Sequence, residues 1–210
     1  MKYRGVIFDL DGVLCSTDEY HYLAWKEIGE AIGIDFTRAD NHRLRGVSRM
    51  ESLEILLEKS EQDFSQEKKE LLAERKNRIY RKYLERMSEK DLVPGALELF
   101  SELKKRNLKI AVGSSSKNAG FILEKLGIRD VFDAVVDGND IEHSKPHPEV
   151  FLNAAEALGL EPGSILVLED AEAGIEAARA GGFVPVGIGP AAGSAVFRID
   201  KLSDLLGIIK

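Results

Sequence analysis

The 210-residue sequence predicts a doubly wound α/β fold, a parallel-sheet core carrying a small helical domain inserted after the first strand. Three observations lead there. Short apolar runs recur through the chain with helix-like stretches between them. One long segment, residues 17–90, contains no convincing strand. The chemically distinctive polar residues all lie just past the ends of apolar runs.

The runs are Val6-Ile7-Phe8, Ile110-Ala111-Val112-Gly113, Ala134-Val135-Val136, Ile165-Leu166-Val167-Leu168 and Val184-Pro185-Val186-Gly187-Ile188. Continuous apolar runs of this length suit strands buried on both faces of a parallel sheet. Helical patterns fall at 95–107, 117–127, 147–159 and 171–181, so strand and helix alternate. Gly127, Gly159 and Gly181 stand near helix ends, where a left-handed cap is expected.

Residues 17–90 read instead as amphipathic helices, from Tyr22 through Ile32, Ser52 through Leu57 and Leu71 through Met87. Val93-Pro94-Gly95 marks the return to the core. The predicted domains are therefore residues 1–16 with 91–210, and residues 17–90. The run Glu67-Lys68-Lys69-Glu70 reads as a solvated helix face.

Composition excludes several classes of function. The net charge is −7 and the pI is near 5.3, so there is no basic excess to neutralise a nucleic-acid backbone. No apolar run is long enough to span a bilayer, and residues 1–9 carry no secretory apolar stretch. The single cysteine, Cys15, cannot form an intramolecular disulfide and suits a reducing cytoplasm. No Gly-Lys dipeptide exists, so there is no Walker A loop, and the four histidines are scattered without zinc-ligand spacing. A small phosphorylated substrate and a monomeric protein are expected.

The polar residues supply a chemistry. Asp9 and Asp11 follow the first strand, Ser114 the second and Glu169-Asp170 the fourth, while Lys145 is predicted to open the helix after the third. Ligands of open α/β sheets bind beyond the carboxyl ends of the strands, so these residues should converge. Phosphoryl transfer needs a nucleophile, a cation for the equatorial oxygens and an acid for the leaving oxygen. Asp9 can be the nucleophile, Asp11 the proton donor and acceptor, and Ser114 and Lys145 the groups that hold the phosphoryl oxygens. Asp9, Glu169 and Asp170 offer hard oxygen ligands to Mg2+. Each residue alone has a plainer reading: a turn aspartate, a helix-capping serine, a solvated lysine, an acidic first turn. Their joint order at successive strand ends favours the site.

Asp9-Leu10-Asp11-Gly12-Val13, Ser114, Ser144-Lys145-Pro146 and Leu168-Glu169-Asp170 resemble the four motifs of the haloacid dehalogenase superfamily, and the insert resembles its small helical cap. Thr17-Asp18-Glu19-Tyr20-His21, Ala24-Trp25, Leu44 through Arg49, Arg75-Lys76-Asn77 and Ser116-Lys117-Asn118 further resemble the β-phosphoglucomutase family. That resemblance implies interconversion of β-D-glucose 1-phosphate and glucose 6-phosphate through the 1,6-bisphosphate, with an aspartyl-phosphate on Asp9. It implies Mg2+ held by Asp9, the Asp11 carbonyl, Glu169 and Asp170. Thr17 and His21 would position Asp11 as the cap closes. Arg49 would grip the phosphate that is not reacting, with Ser115, Ser116, Lys117 and Asn118 nearby. Trp25, Gly46, Val47, Ser52 and Lys76 would line the sugar side. Position 16 is serine, where many relatives place an acid. The alternatives on the same fold are a sugar-phosphate phosphatase or a mutase for another hexose phosphate; more remote is a non-catalytic phosphate-binding domain.

Overall fold

The computed structural model describes residues 2–44, 47–189 and 193–209. The chain divides into two compact units, Met1–Ser16 with Ser88–Lys210, and Thr17–Met87.

The first unit is built on a six-stranded parallel sheet among the described residues. The strands are β1 (Gly5–Phe8), β2 (Lys109–Gly113), β3 (Ala134–Val136), β4 (Ile165–Glu169), β5 (Val184–Ile188) and β6 (Phe197–Ile199). Their order is β3-β2-β1-β4-β5-β6. The chain works outward from β1 to β3, then returns to pair β4 with the other side of β1, Phe8 opposite Leu168. The gap between the carboxyl ends of β1 and β4 is therefore the topological switch point. β6 was not expected: it has three residues, with exposed Arg198 at its centre, too short to leave a strand pattern.

Successive residues of the central strands point to opposite faces. Ile7, Ala111 and Val167 join Val150, Phe151, Ala154 and Leu158 of one helix and Ala177 and Ala178 of another in one buried cluster. On the alternate register, Phe8 meets Phe100 edge-on at 5.4 Å, and Phe100 meets Phe132 at 5.1 Å. Both faces of the sheet are thus apolar, which accounts for the unbroken apolar strands.

Among its described residues the second unit contains helices and no strand. It contains α1 (Asp18–Ala31), α2 (Arg38–His42), α3 (Arg49–Leu57) and α4 (Gln66–Leu84). Capping boxes start two of them: Thr37 with Asp40 opens α2, and Ser48 with Glu51 opens α3. Trp25, Ile28, Phe36, Leu53, Leu56 and Leu72 close a core of their own. Returning to the first unit, Val93 donates its amide to Leu14 O at 2.8 Å.

The remaining helices are α5 (Ala96–Lys105), α6 (Ala119–Lys125), α7 (Glu149–Leu158), α8 (Glu172–Ala180) and α9 (Leu205–Ile208). Gly127 and Gly159 take positive φ at helix ends, as expected. Gly181 does not; Gly182 takes the left-handed turn instead. At Gly181 a Cβ would lie 2.6 Å from the Phe183 ring, so close packing, not backbone handedness, requires glycine there.

Candidate active site

Asp9 leaves the end of β1 with its amide bonded to Leu168 O at 2.9 Å, so backbone pairing with β4 continues into the site. The next residues turn back on themselves: Leu10 O accepts from Leu14 N at 2.9 Å and Cys15 N at 3.2 Å. Gly12 has φ +84°, and a Cβ there would lie 2.0 Å from Asp170 Oδ2. Glycine is thus demanded both by the turn and by the approach of Asp170. Asp11 forms an isolated bridge with Cys15 in this turn.

Lys145 lies in the segment before α7 and not on the helix, which begins at Glu149. Pro146 and Pro148 follow it, and the residue before a proline is disfavoured in the helical region. Its buried ammonium donates to Asp9 Oδ1 and Glu169 Oε1, each at 2.5 Å. Glu169 ends β4; its second oxygen accepts from the amides of Asp170 (2.9 Å) and Ala171 (3.0 Å). Carboxylate oxygens of Asp9, Glu169 and Asp170 lie within 4.8 Å of one another. Ser114 is buried just past β2, and its Oγ accepts from Ser116 N at 3.2 Å. Ser115 Oγ accepts from Lys145 N at 3.5 Å. Ser116 is half-buried, Lys117 is exposed, and Asn118 is buried as it leads into α6.

Burial pushes the Asp9 carboxyl well above its usual range, opposed by Lys145 and reinforced by Glu169 and Asp170. Burial pulls the Lys145 ammonium down, but the Asp9 and Glu169 carboxylates outweigh it and hold Lys145 above its ordinary value. Three carboxylates, two of them buried and paired with Lys145, bring oxygen atoms together at this point, and an all-oxygen donor set fits a hard divalent cation.

The helical unit gathers a second constellation. Thr17 is fully buried and accepts a hydrogen bond from Tyr80 Oη at 2.8 Å. Lys76 Nζ lies 2.8 Å from His21 Nδ1, 5.0 Å from the centre of the Trp25 ring and 4.5 Å from that of Tyr80. Burial, with the Lys76 and Arg49 cations, drives His21 well below its ordinary pKa. Burial also lowers the Arg49 pKa. Ser52 is buried on α3 and Val47 half-buried before it. Gly46 lies outside the described residues.

Two residues in these sites escaped the sequence reading. Tyr80 stands four residues beyond Lys76, on the same helix face, a spacing that could have found it. Gly174 sits inside α8, where a Cβ would lie 1.8 Å from Glu169 Oε1; a glycine inside a helical pattern is the available signal.

Residues 3–182 match the haloacid dehalogenase-like hydrolase family. The chain is 46% identical to β-phosphoglucomutase of Bacillus subtilis (strain 168) over 188 residues, 89% of this chain and 83% of that protein. It is 32% identical to a phosphorylated carbohydrates phosphatase of Thermotoga maritima, over 85% of this chain and 82% of that one. The crystal structure of β-phosphoglucomutase from Clostridium difficile superposes with a TM-score of 0.91 at 39% identity, covering 97% of this chain and 93% of that one. The chain belongs to the haloacid dehalogenase superfamily and, within it, to the β-phosphoglucomutase family.

Proposed function

We propose that this chain interconverts β-D-glucose 1-phosphate and glucose 6-phosphate through β-glucose 1,6-bisphosphate. The observation that carries the phosphoryl chemistry is the buried Lys145 ammonium held between Asp9 and Glu169. The 46% identity to the B. subtilis enzyme favours the mutase over the phosphatase, whose named relative stands at 32%.

In this reading Asp9 attacks phosphorus and carries the phosphoryl group as an aspartyl-phosphate. Lys145 and Ser114 hold the phosphoryl oxygens during transfer. Asp11 gives a proton to the departing sugar oxygen and takes one from the attacking hydroxyl. Mg2+, held by Asp9, Glu169, Asp170 and the Asp11 carbonyl, would supply positive charge against the phosphoryl oxygens. The helical unit contributes Arg49 for the phosphate that is not transferred, whose planar fork suits phosphate. It also contributes Trp25, Gly46, Val47, Ser52 and Lys76 for the sugar, and Thr17 and His21 as orienting groups. Ser115, Ser116, Lys117 and Asn118 complete the phosphate contacts.

The test is phosphorus NMR of the protein with Mg2+, β-D-glucose 1-phosphate and a trace of the bisphosphate. Glucose 6-phosphate should accumulate with little free phosphate, and Asp9→Asn should do neither reaction. Accumulating inorganic phosphate would make the enzyme a phosphatase; normal turnover by D9N would remove Asp9 as nucleophile.

A further inference from the structure

We propose that the core unit carries a second metal site, built from His143, His147 and Glu149, that takes a borderline transition-metal ion such as Zn2+ and not Mg2+. One donor atom from each residue lies within 4.8 Å of the other two. His143 Nδ1 is 3.0 Å and His147 Nδ1 3.7 Å from the same oxygen, Glu149 Oε2. A tetrahedral first shell with bonds of about 2.0–2.1 Å puts neighbouring ligands about 3.3 Å apart, and the two distances bracket that value. The imidazoles lie face to tilted face, with centroids 4.7 Å apart and planes at 37°.

The carboxylate is already held in place. Glu149 is the first residue of α7; its Oε1 accepts from Glu142 N at 2.8 Å and its Oε2 from His143 N at 3.0 Å. Ion pairing with Glu149 needs only one histidine, and two charged imidazoles at this separation would repel. A metal ion uses both. It would displace the proton His143 Nδ1 now donates to Glu149, which moves to Nε2 or to solvent. His143 and His147 are more than half exposed, so an ion and the water that completes its shell have access.

Two imidazoles and one carboxylate suit Zn2+, Co2+ or Ni2+, whereas Mg2+ prefers all-oxygen sites such as the Asp9 cluster. The chain would therefore sort two kinds of metal by ligand softness. His143 and His147 also flank Lys145 by two residues on either side. An ion bound there ties both ends of the Lys145 segment to the first turn of α7.

The test is a Co2+ titration in excess Mg2+, followed by the visible absorption of protein-bound Co2+. Wild type should bind one equivalent; H143N and H147N should each lose it, and H42N, a change at an exposed histidine in the other unit, should keep it. In parallel, Zn2+ should raise the Tm of wild type and not that of H147N. No uptake by wild type, or equal uptake by H143N and H147N, overturns the proposal. Uptake lost only in D9N overturns it too, by placing the ion among the carboxylates.

Discussion

Lys76 Nζ donates to His21 Nδ1 at 2.8 Å inside the helical unit, and a lysine ammonium can only donate. The imidazole therefore accepts on Nδ1 and keeps its proton on Nε2. Burial and the two nearby cations depress its pKa, so His21 is neutral when folded and charged when unfolded in mildly acid solution. The folded-state pKa lies below the unfolded value of about 6.5. The stability this contributes is complete above about pH 6.5 and is lost as pH falls toward the folded-state pKa. Lys76→Met should raise the pH at which His21 titrates, read from imidazole NMR shifts. H21Q should show a shallower loss of urea resistance on acidification than wild type; parallel curves would contradict this account.

Lys145→Met should destabilise the protein by about 3–5 kcal/mol, because it strands two buried carboxylates without their cation. Millimolar Mg2+ should shrink the deficit by restoring positive charge. Urea denaturation with and without Mg2+ measures both; a deficit indifferent to Mg2+ would count against a cation at this cluster.

Arg49→Ala should lower kcat/KM for β-D-glucose 1-phosphate by about a hundredfold, the loss expected for a charge-assisted contact to phosphate. Hydrolysis of a small aryl phosphate, which has no second phosphate, should change little. Equal losses in both assays would remove Arg49 from that role.

Gly174→Ala places a methyl group 1.8 Å from Glu169 Oε1. Glu169 must shift away from Lys145 and from the Asp170 and Ala171 amides. A loss of about 1–3 kcal/mol is expected, with a higher Mg2+ concentration needed for half-maximal turnover. An unchanged Mg2+ dependence would show that Glu169 does not hold the cation.

The parallel sheet, the helical insert and the order of Asp9, Asp11, Ser114, Lys145, Glu169 and Asp170 along it were legible in the sequence. Strand and helix patterns depend on near neighbours: a strand covered on both faces must be apolar throughout, and a carboxylate just past it inherits the strand's direction. The tertiary structure alone decided the rest. Pro146 and Pro148 already keep Lys145 off the helix, but the pairing of its ammonium with carboxylates 136 and 24 residues away was set only by the folded chain. Gly174 is required by a side chain on another element, and His21 is neutral because of burial and a lysine 55 residues distant. Desolvation, close approach and charge pairing are set by groups remote in sequence, and no local pattern records them.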